Sequence, residues 1–381
     1  MAITGDQSFL KNINRMALIR LIRGEPGLSR ADLSEVTGLT KSTVSQLVQE
    51  LIDEGWLTED EALATGSIGR RPTPLRLDTE RLALLGVDVT VNAIEVVATN
   101  LTGEIIVSRV RKLSTRDLNS VVAEVVALIA EVVTEVSALG RRPLGVGVGV
   151  PGPVHANSGV LHYSPNFGWK DVPMREVLRK ALVAHGLHDL PIFVQRRAGI
   201  AALGEVEFSC DDVDEPLLFI HLGSNIGAGV FISGRLLSGH GGFAGDVGNQ
   251  QLVLNGRTAS ANASIGMAAM AGRLGVSEEV FFTRVQAGEP EATAVAREGA
   301  QFLAVLIHNL WATFDPAHIV LGGVVARMLT PGWLEEVESE LKNQVQGSLI
   351  KPPPVTVARF GLQAVAVGAT ALVLHQYVRP V

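Results

Sequence analysis

The side chains best suited to touching a nucleic acid lie between Thr40 and Gln49. Val44, Leu47, Val48 and Leu51 recur at i, i+3, i+4 and i+7, the spacing of a helix with one buried stripe. Lys41, Ser42, Ser45, Gln46 and Gln49 then face the other way, where they can donate to phosphates or reach base edges. Lys41 and Ser42 open the helix, where charge and free N–H groups both favour phosphate. Ser45 and Gln46 follow one turn in, and a glutamine can pair with adenine through two hydrogen bonds. Thr40 is placed to cap this helix, with Thr43 three residues on. Ser29 and Arg30 open an earlier helix, and Arg70 and Arg71 sit in the stretch GSIGRRPTP. A narrow A·T-rich minor groove would attract such arginines. The candidate DNA contacts are therefore Ser29, Arg30, Thr40, Lys41, Ser42, Thr43, Ser45, Gln46, Gln49, Arg70 and Arg71.

The surrounding elements fit a winged helix-turn-helix. Asn12 to Arg23 reads as a first helix. Ser29 caps a second, with Asp32 placed to complete a capping box. Leu33 and Val36 are expected to face inward, and Gly38 suits the tight turn before the third helix. Gly55-Trp56-Leu57 starts a strand that Leu75–Leu77 would pair, making a wing with Arg70 and Arg71 at its tip. Residues 1–80 hold 9 Lys and Arg against 12 Asp and Glu. Affinity must then come from the placement of a few cations and from assembly, as a homodimer or dimer of dimers on double-stranded operator DNA.

Beyond residue 80 the chain turns rich in Val, Ala and Gly. Strand-like runs at Leu84–Val89, Ile94–Ala98, Ile105–Val110, Leu144–Val150, Leu217–Leu222 and Gly229–Ile232 alternate with long helical patterns. The helices are expected at Leu118–Leu139, Glu291–Phe314 and Ala364–Val378. This mixture reads as α/β, opened by an antiparallel meander of three strands. Two units are expected: 1–80 for the winged helix-turn-helix and its linker, and 81–381 for a two-lobed remainder. With 47% hydrophobic and 19% charged residues, the 381-residue chain can bury a large core. One cysteine, Cys210, excludes an internal disulfide and a multi-cysteine zinc site. A net charge of −7 argues against a non-specific nucleic-acid coat. No signal core opens the sequence and no apolar run is long enough to span a bilayer, so a cytoplasmic protein with no membrane partner is expected.

Ordered motifs carry a further signal: LLGVDVTVNAIEVVATNLTGEI, GVGVGVPGPV, SPNFGW, GIAALGE, GSNIGAGVFISGRLLSGHGGFAGDVGN and DPAHIVLGGVV. Residues 84 to about 375 resemble the ROK family of repressors, open reading frames and kinases. With the N-terminal unit, the chain is similar to that family's xylose-repressor-type regulators. The resemblance implies an actin-like (ribonuclease H-like) sugar-kinase fold and a sugar cleft. In active members a phosphate loop follows the first Asp; here Val89-Thr90-Val91-Asn92 follows Asp88. The second phosphate loop is replaced by Gly223-Ser224-Asn225. The family's catalytic Asp aligns with Arg197, and an arginine cannot accept a proton. The family's zinc ligands are missing as well. The resemblance therefore implies a regulator with no catalytic residue, cofactor or metal, controlled by a sugar or sugar-phosphate effector. Asn166, Asp246 and Asn249 match its sugar contacts. Arg196 and Arg197 are either salt-bridged surface or the cationic floor of a pocket for phosphate or carboxylate. A ROK-type sugar kinase and an effector-independent regulator are the rival readings.

Overall fold

Helix α1 (Gln7–Gly24) leads into α2 (Arg30–Thr37) and α3 (Lys41–Asp53), followed by strands β1 (Leu57–Glu59) and β2 (Leu75–Leu77). The computed structural model describes residues 7–60, 73–209, 213–324, 328, 331–345 and 351–379. Arg70, Arg71 and Cys210 lie outside them. Gly38 ends α2 with φ 69°, a left-handed turn that glycine adopts without a Cβ penalty, and its N–H donates to the Ser34 carbonyl. Val44, Leu47, Val48 and Leu51 are all buried, as their spacing requires. β1 and β2 pair antiparallel, Leu57 opposite Leu77.

Val36 departs from expectation: it is 59% exposed. The eight-residue α2 buries Leu33, while Leu28 and Leu39 on either side of the helix pack against the core instead.

Two similar sheets follow. The first runs β3 (Leu82–Val89), β4 (Ala93–Thr99), β5 (Ile105–Lys112), α4 (Leu118–Ala138) and β6 (Arg142–Val150). The hairpin β7 (Leu161–Ser164) and β8 (Trp169–Val172) comes next, then α5 (Met174–Ala184) and β9 (Ile192–Arg196). Helix α6 (Arg197–Glu207) crosses to the second sheet: β10 (Leu217–Leu222), β11 (Ile226–Ile232) and β12 (Arg235–Leu236). A hairpin, β13 (Gln251–Leu254) and β14 (Arg257–Ser260), precedes α7 (Ala261–Ile265), α8 (Met267–Arg273), α9 (Glu278–Gln286) and α10 (Pro290–Phe314). β15 (His318–Gly323), α11 (Pro331–Gln344), β16 (Val355–Val357) and α12 (Ala364–Val378) complete the order.

The sheet orders are β5-β4-β3-β6-β9 and β12-β11-β10-β15-β16. Each is an antiparallel meander of three strands extended by two parallel ones. One pattern is thus built twice, once per lobe, although the sequence shows no repeat.

α6 and α12 pack between the lobes, where small residues let backbones approach closely. A Cβ at Gly147 would sit 1.9 Å from the Ala369 carbonyl oxygen, and one at Gly368 2.0 Å from that of Ile200. Gly361–Val378 is apolar enough to cross a membrane by composition, but here it fills the protein interior.

Candidate functional site

The polar face of α3 is presented much as its pattern demands. Thr40 caps the helix by accepting from the Thr43 N–H at 3.2 Å, and its hydroxyl lies 2.9 Å from those of Ser42 and Thr43. Lys41, Ser42, Gln46 and Gln49 are exposed, and Thr43 and Ser45 half-buried. The two glutamines rest against acids: Gln46 Nε2 donates to Glu50 at 3.2 Å and Gln49 Nε2 to Asp53 at 2.9 Å.

Two candidates already have partners within the protein. Ser29 is only 5% exposed, and its hydroxyl and N–H close a reciprocal capping box with Asp32. Its oxygen accepts the Asp32 N–H that starts α2. Arg30 donates to Glu59 at 2.9 Å, to the Ser45 carbonyl at 3.2 Å and to Gln49 at 3.3 Å. It holds α2, α3 and β1 together, so it reaches a phosphate only by leaving those partners.

Sequence reasoning missed α1's part here. Lys11 donates to Glu50 at 2.8 Å, and Arg15 reaches both Glu50 and Glu54. The Lys11 hydrogen bond holds the Glu50 carboxyl below its usual value. The i, i+4 spacing of Lys11 and Arg15 was the available signal.

A second candidate site is the cleft between the lobes, a cavity of about 480 Å³. Asn166, Arg196, Arg197, Asp246 and Asn249 all line it. So do Thr90, Val91 and Asn92, whose turn is closed by Thr90 bonding Ala93 through N–H and hydroxyl. Arg197 meets Asp88 with two bonds, Nε to Oδ1 at 2.6 Å and Nη2 to Oδ2 at 2.9 Å. Arg196 lies deeper, 9% exposed, and ties β9 to the second lobe through the Ala228 carbonyl at 2.6 Å and that of Ala244. Burial pushes its guanidinium down to about 10, with the Asp246 and Tyr163 charges opposing the shift. Arg197 is thus salt-bridged, whereas Arg196 makes no ion pair among the described residues, and its buried Nη1 has no hydrogen-bond partner there.

Tyr163 and His221 belong to this site and carry no motif signal. The Tyr163 hydroxyl donates to Asp246 Oδ2 at 2.5 Å, where Asn249 Nδ2 also arrives at 3.3 Å. Burial, then Asp246, pushes the Tyr163 phenol up to about 12. His221 is buried in β10, and burial, then the Arg197 charge, holds it neutral, well below its usual value.

The two sites are joined by packing. α1 lies against α12, and Trp56 and Tyr377 meet with their rings tilted by 55°, centroids 5.4 Å apart. Glu207, 5% exposed at the end of α6, pairs with Arg23 of α1 and with His375 Nδ1 of α12 at 2.6 Å. Burial works to raise the Glu207 carboxyl, but the His375 bond and the Arg23 charge override it and hold it low. Arg81 donates to the Ile52 and Asp53 carbonyls at 2.6 and 3.0 Å, and Arg142 to that of Glu54 at 2.9 Å.

Among known proteins, residues 84–376 match the ROK family and residues 11–58 a winged helix-turn-helix DNA-binding family. A xylose repressor of Caldicellulosiruptor bescii is 26% identical over 396 aligned positions, covering 97% of each chain. An uncharacterized protein of Sinorhizobium fredii, y4fQ, is 33% identical, covering 94% of this chain and 90% of its own. A crystal structure described as a ROK family transcriptional regulator, homologous to the E. coli MLC protein, superposes with a TM-score of 0.77. It is 22% identical, covers 97% of this chain and 98% of its own, and supports the fold. The chain belongs to the ROK family and carries a winged helix-turn-helix at its N-terminal end.

Proposed function

We propose that the protein is a DNA-binding transcriptional repressor whose grip on its operator is set by a sugar in the inter-lobe cleft. Residues 1–80 are the reader and 81–381 the sensor. The observation that carries this is α6: it starts at Arg197 in the cleft and ends at Glu207 on the reader's Arg23. An eleven-residue helix moves as one piece, so closure around a ligand at one end reaches the reader at the other. Ser45, Gln46 and Gln49 read bases, while Thr40, Lys41, Ser42 and Thr43 position the helix on phosphates. Arg70 and Arg71 serve the wing. A homodimer, or a dimer of dimers, in the cytoplasm places two such readers on successive half-sites.

In the cleft, Asn166, Asp246 and Asn249 offer hydrogen bonds to sugar hydroxyls. Opposite them, the Arg197–Asp88 pair stands where a kinase of this family needs a proton acceptor, which supports a regulator and not an enzyme. Xylose, the sugar in the relatives' names, is the first to test. The experiment is to select the operator from random duplexes with the purified chain, then titrate xylose and other free and phosphorylated sugars. One sugar is expected to release the operator from wild type and not from Asp246→Asn. Release by none, with intact operator binding, overturns the sugar reading. Sugar-dependent ADP formation from ATP and magnesium overturns the regulator reading.

A further inference from the structure

A second cavity lies at the seam between reader and sensor, with a volume of about 700 Å³. Ile13 and Met16 of α1 form one wall; Phe193, Leu203 and Leu372 form the other. Three arginines, Arg175, Arg235 and Arg379, line it, and among the described residues no carboxylate does. The chain holds 39 acidic residues against 32 Lys and Arg, so this is not what its average surface offers. Arg175 donates to the Asn157 carbonyl at 2.6 Å. Arg235 and Arg379 are exposed and have no ion pair or side-chain hydrogen bond among the described residues. Several arginines elsewhere are matched to acids, as at Arg15, Arg23, Arg111 and Arg197, while Arg81, Arg142 and Arg196 bond backbone carbonyls.

Unmatched guanidinium groups beside an apolar wall define a ligand by its complement. A planar fork of donors suits a phosphate or carboxylate held by two bonds, and the wall suits a ring or short hydrocarbon. The volume falls in the range of small-molecule sites, roughly 300–1,000 Å³. We propose that this cavity is a second ligand site that takes a small amphipathic anion, with its head on Arg235 and Arg379 and its body against Phe193 and Met16. The site is separate from the sugar cleft, though the two meet at one strand end: Gln195 faces this cavity while Arg196 and Arg197 face the cleft. Because α1 is one wall, an occupant touches reader and sensor together and favours one placement of the reader over others.

The test is calorimetric titration of the full-length chain, without DNA, using phenyl phosphate and 3-phenylpropionate as probes. At least one of them is expected to bind saturably at about one per chain; the tighter of the two assigns the head group. Phenol and inorganic phosphate should each bind at least about tenfold more weakly, a difference of about 1.4 kcal/mol. Arg235→Gln combined with Arg379→Gln should cost a similar factor, and since both side chains are exposed and unpaired the variant should melt like wild type. Asp246→Asn, in the sugar cleft, should bind the probe unchanged. No saturable binding of either probe, equal binding by the double variant, equal binding of phenol, or loss in Asp246→Asn alone would each overturn the proposal. Equal binding of inorganic phosphate would do the same.

Discussion

The reading face of α3 and the inter-lobe cleft are built by opposite means. On α3 every proposed contact lies within one helix whose buried stripe fixes which way the others point. In the cleft, Arg197 meets Asp88 from 109 residues away and Tyr163 meets Asp246 from 83. A local site advertises its geometry through periodicity. A non-local site hides its geometry, because a side chain's chemistry is decided by a partner the sequence does not place beside it. Arg197 looks like an anion receptor by type, yet it arrives already matched.

The largest test of this contrast falls on the seam that joins the two regions. Glu207→Ala removes a buried carboxylate that answers both Arg23 and His375. It should destabilise the protein by about 3–5 kcal/mol in urea unfolding, the usual cost of breaking a buried ion pair. A loss below about 1 kcal/mol, the scale of an exposed pair, would mean that reader and sensor are only loosely tied.

Next comes the local site. Gln46→Ala should cost about 1–3 kcal/mol on the operator and relax preference at one base position per half-site. Equal losses on operator and scrambled DNA would show that the reading face is misassigned, and the claim that local sites are legible would weaken with it.

The cleft can be followed by its phenol. Tyr163 and Tyr377 are the chain's two tyrosines, and burial raises both. Unfolded, both ionise near pH ~10. Folded, Tyr163 keeps its proton to about 12. The native state therefore holds protons that the unfolded state has lost, and stability should fall as pH rises through this window. Phenolate absorbance should rise late in native protein and early in denaturant. A native phenol titrating at its ordinary value would mean that Tyr163 is neither buried nor held by Asp246 as described.

The smallest effect is expected at Lys41. Lys41→Ala should weaken all duplexes alike and lower the salt slope by about one. A sequence-dependent loss would move Lys41 from positioning to reading.

What was legible in the sequence follows the same division. Leu217–Leu222 and Ala364–Val378 form with the bounds their apolar patterns imply, and Thr40, Gly38 and the Leu57–Leu77 pairing fall where capping and turn chemistry put them. The errors came where a residue's neighbours had to be known. Val36 has a core residue's type, but its short helix is sealed by Leu28, Leu33 and Leu39. Tyr163, His221 and Glu207 stayed invisible because nothing beside them in the chain marks a cleft or a seam. The matching topology of the two sheets was hidden for a related reason: backbone order can be conserved between halves while side chains are not.

The packing of α1 on α12 has a consequence for how the molecule is made. Translation delivers the helix-turn-helix first and α12 last among the described elements. Until Ala364–Val378 has left the ribosome, Trp56 lacks its Tyr377 neighbour and Arg23 faces a Glu207 still short of His375. A chain broken off early thus has the residues for reading DNA without the bracing that holds them in place.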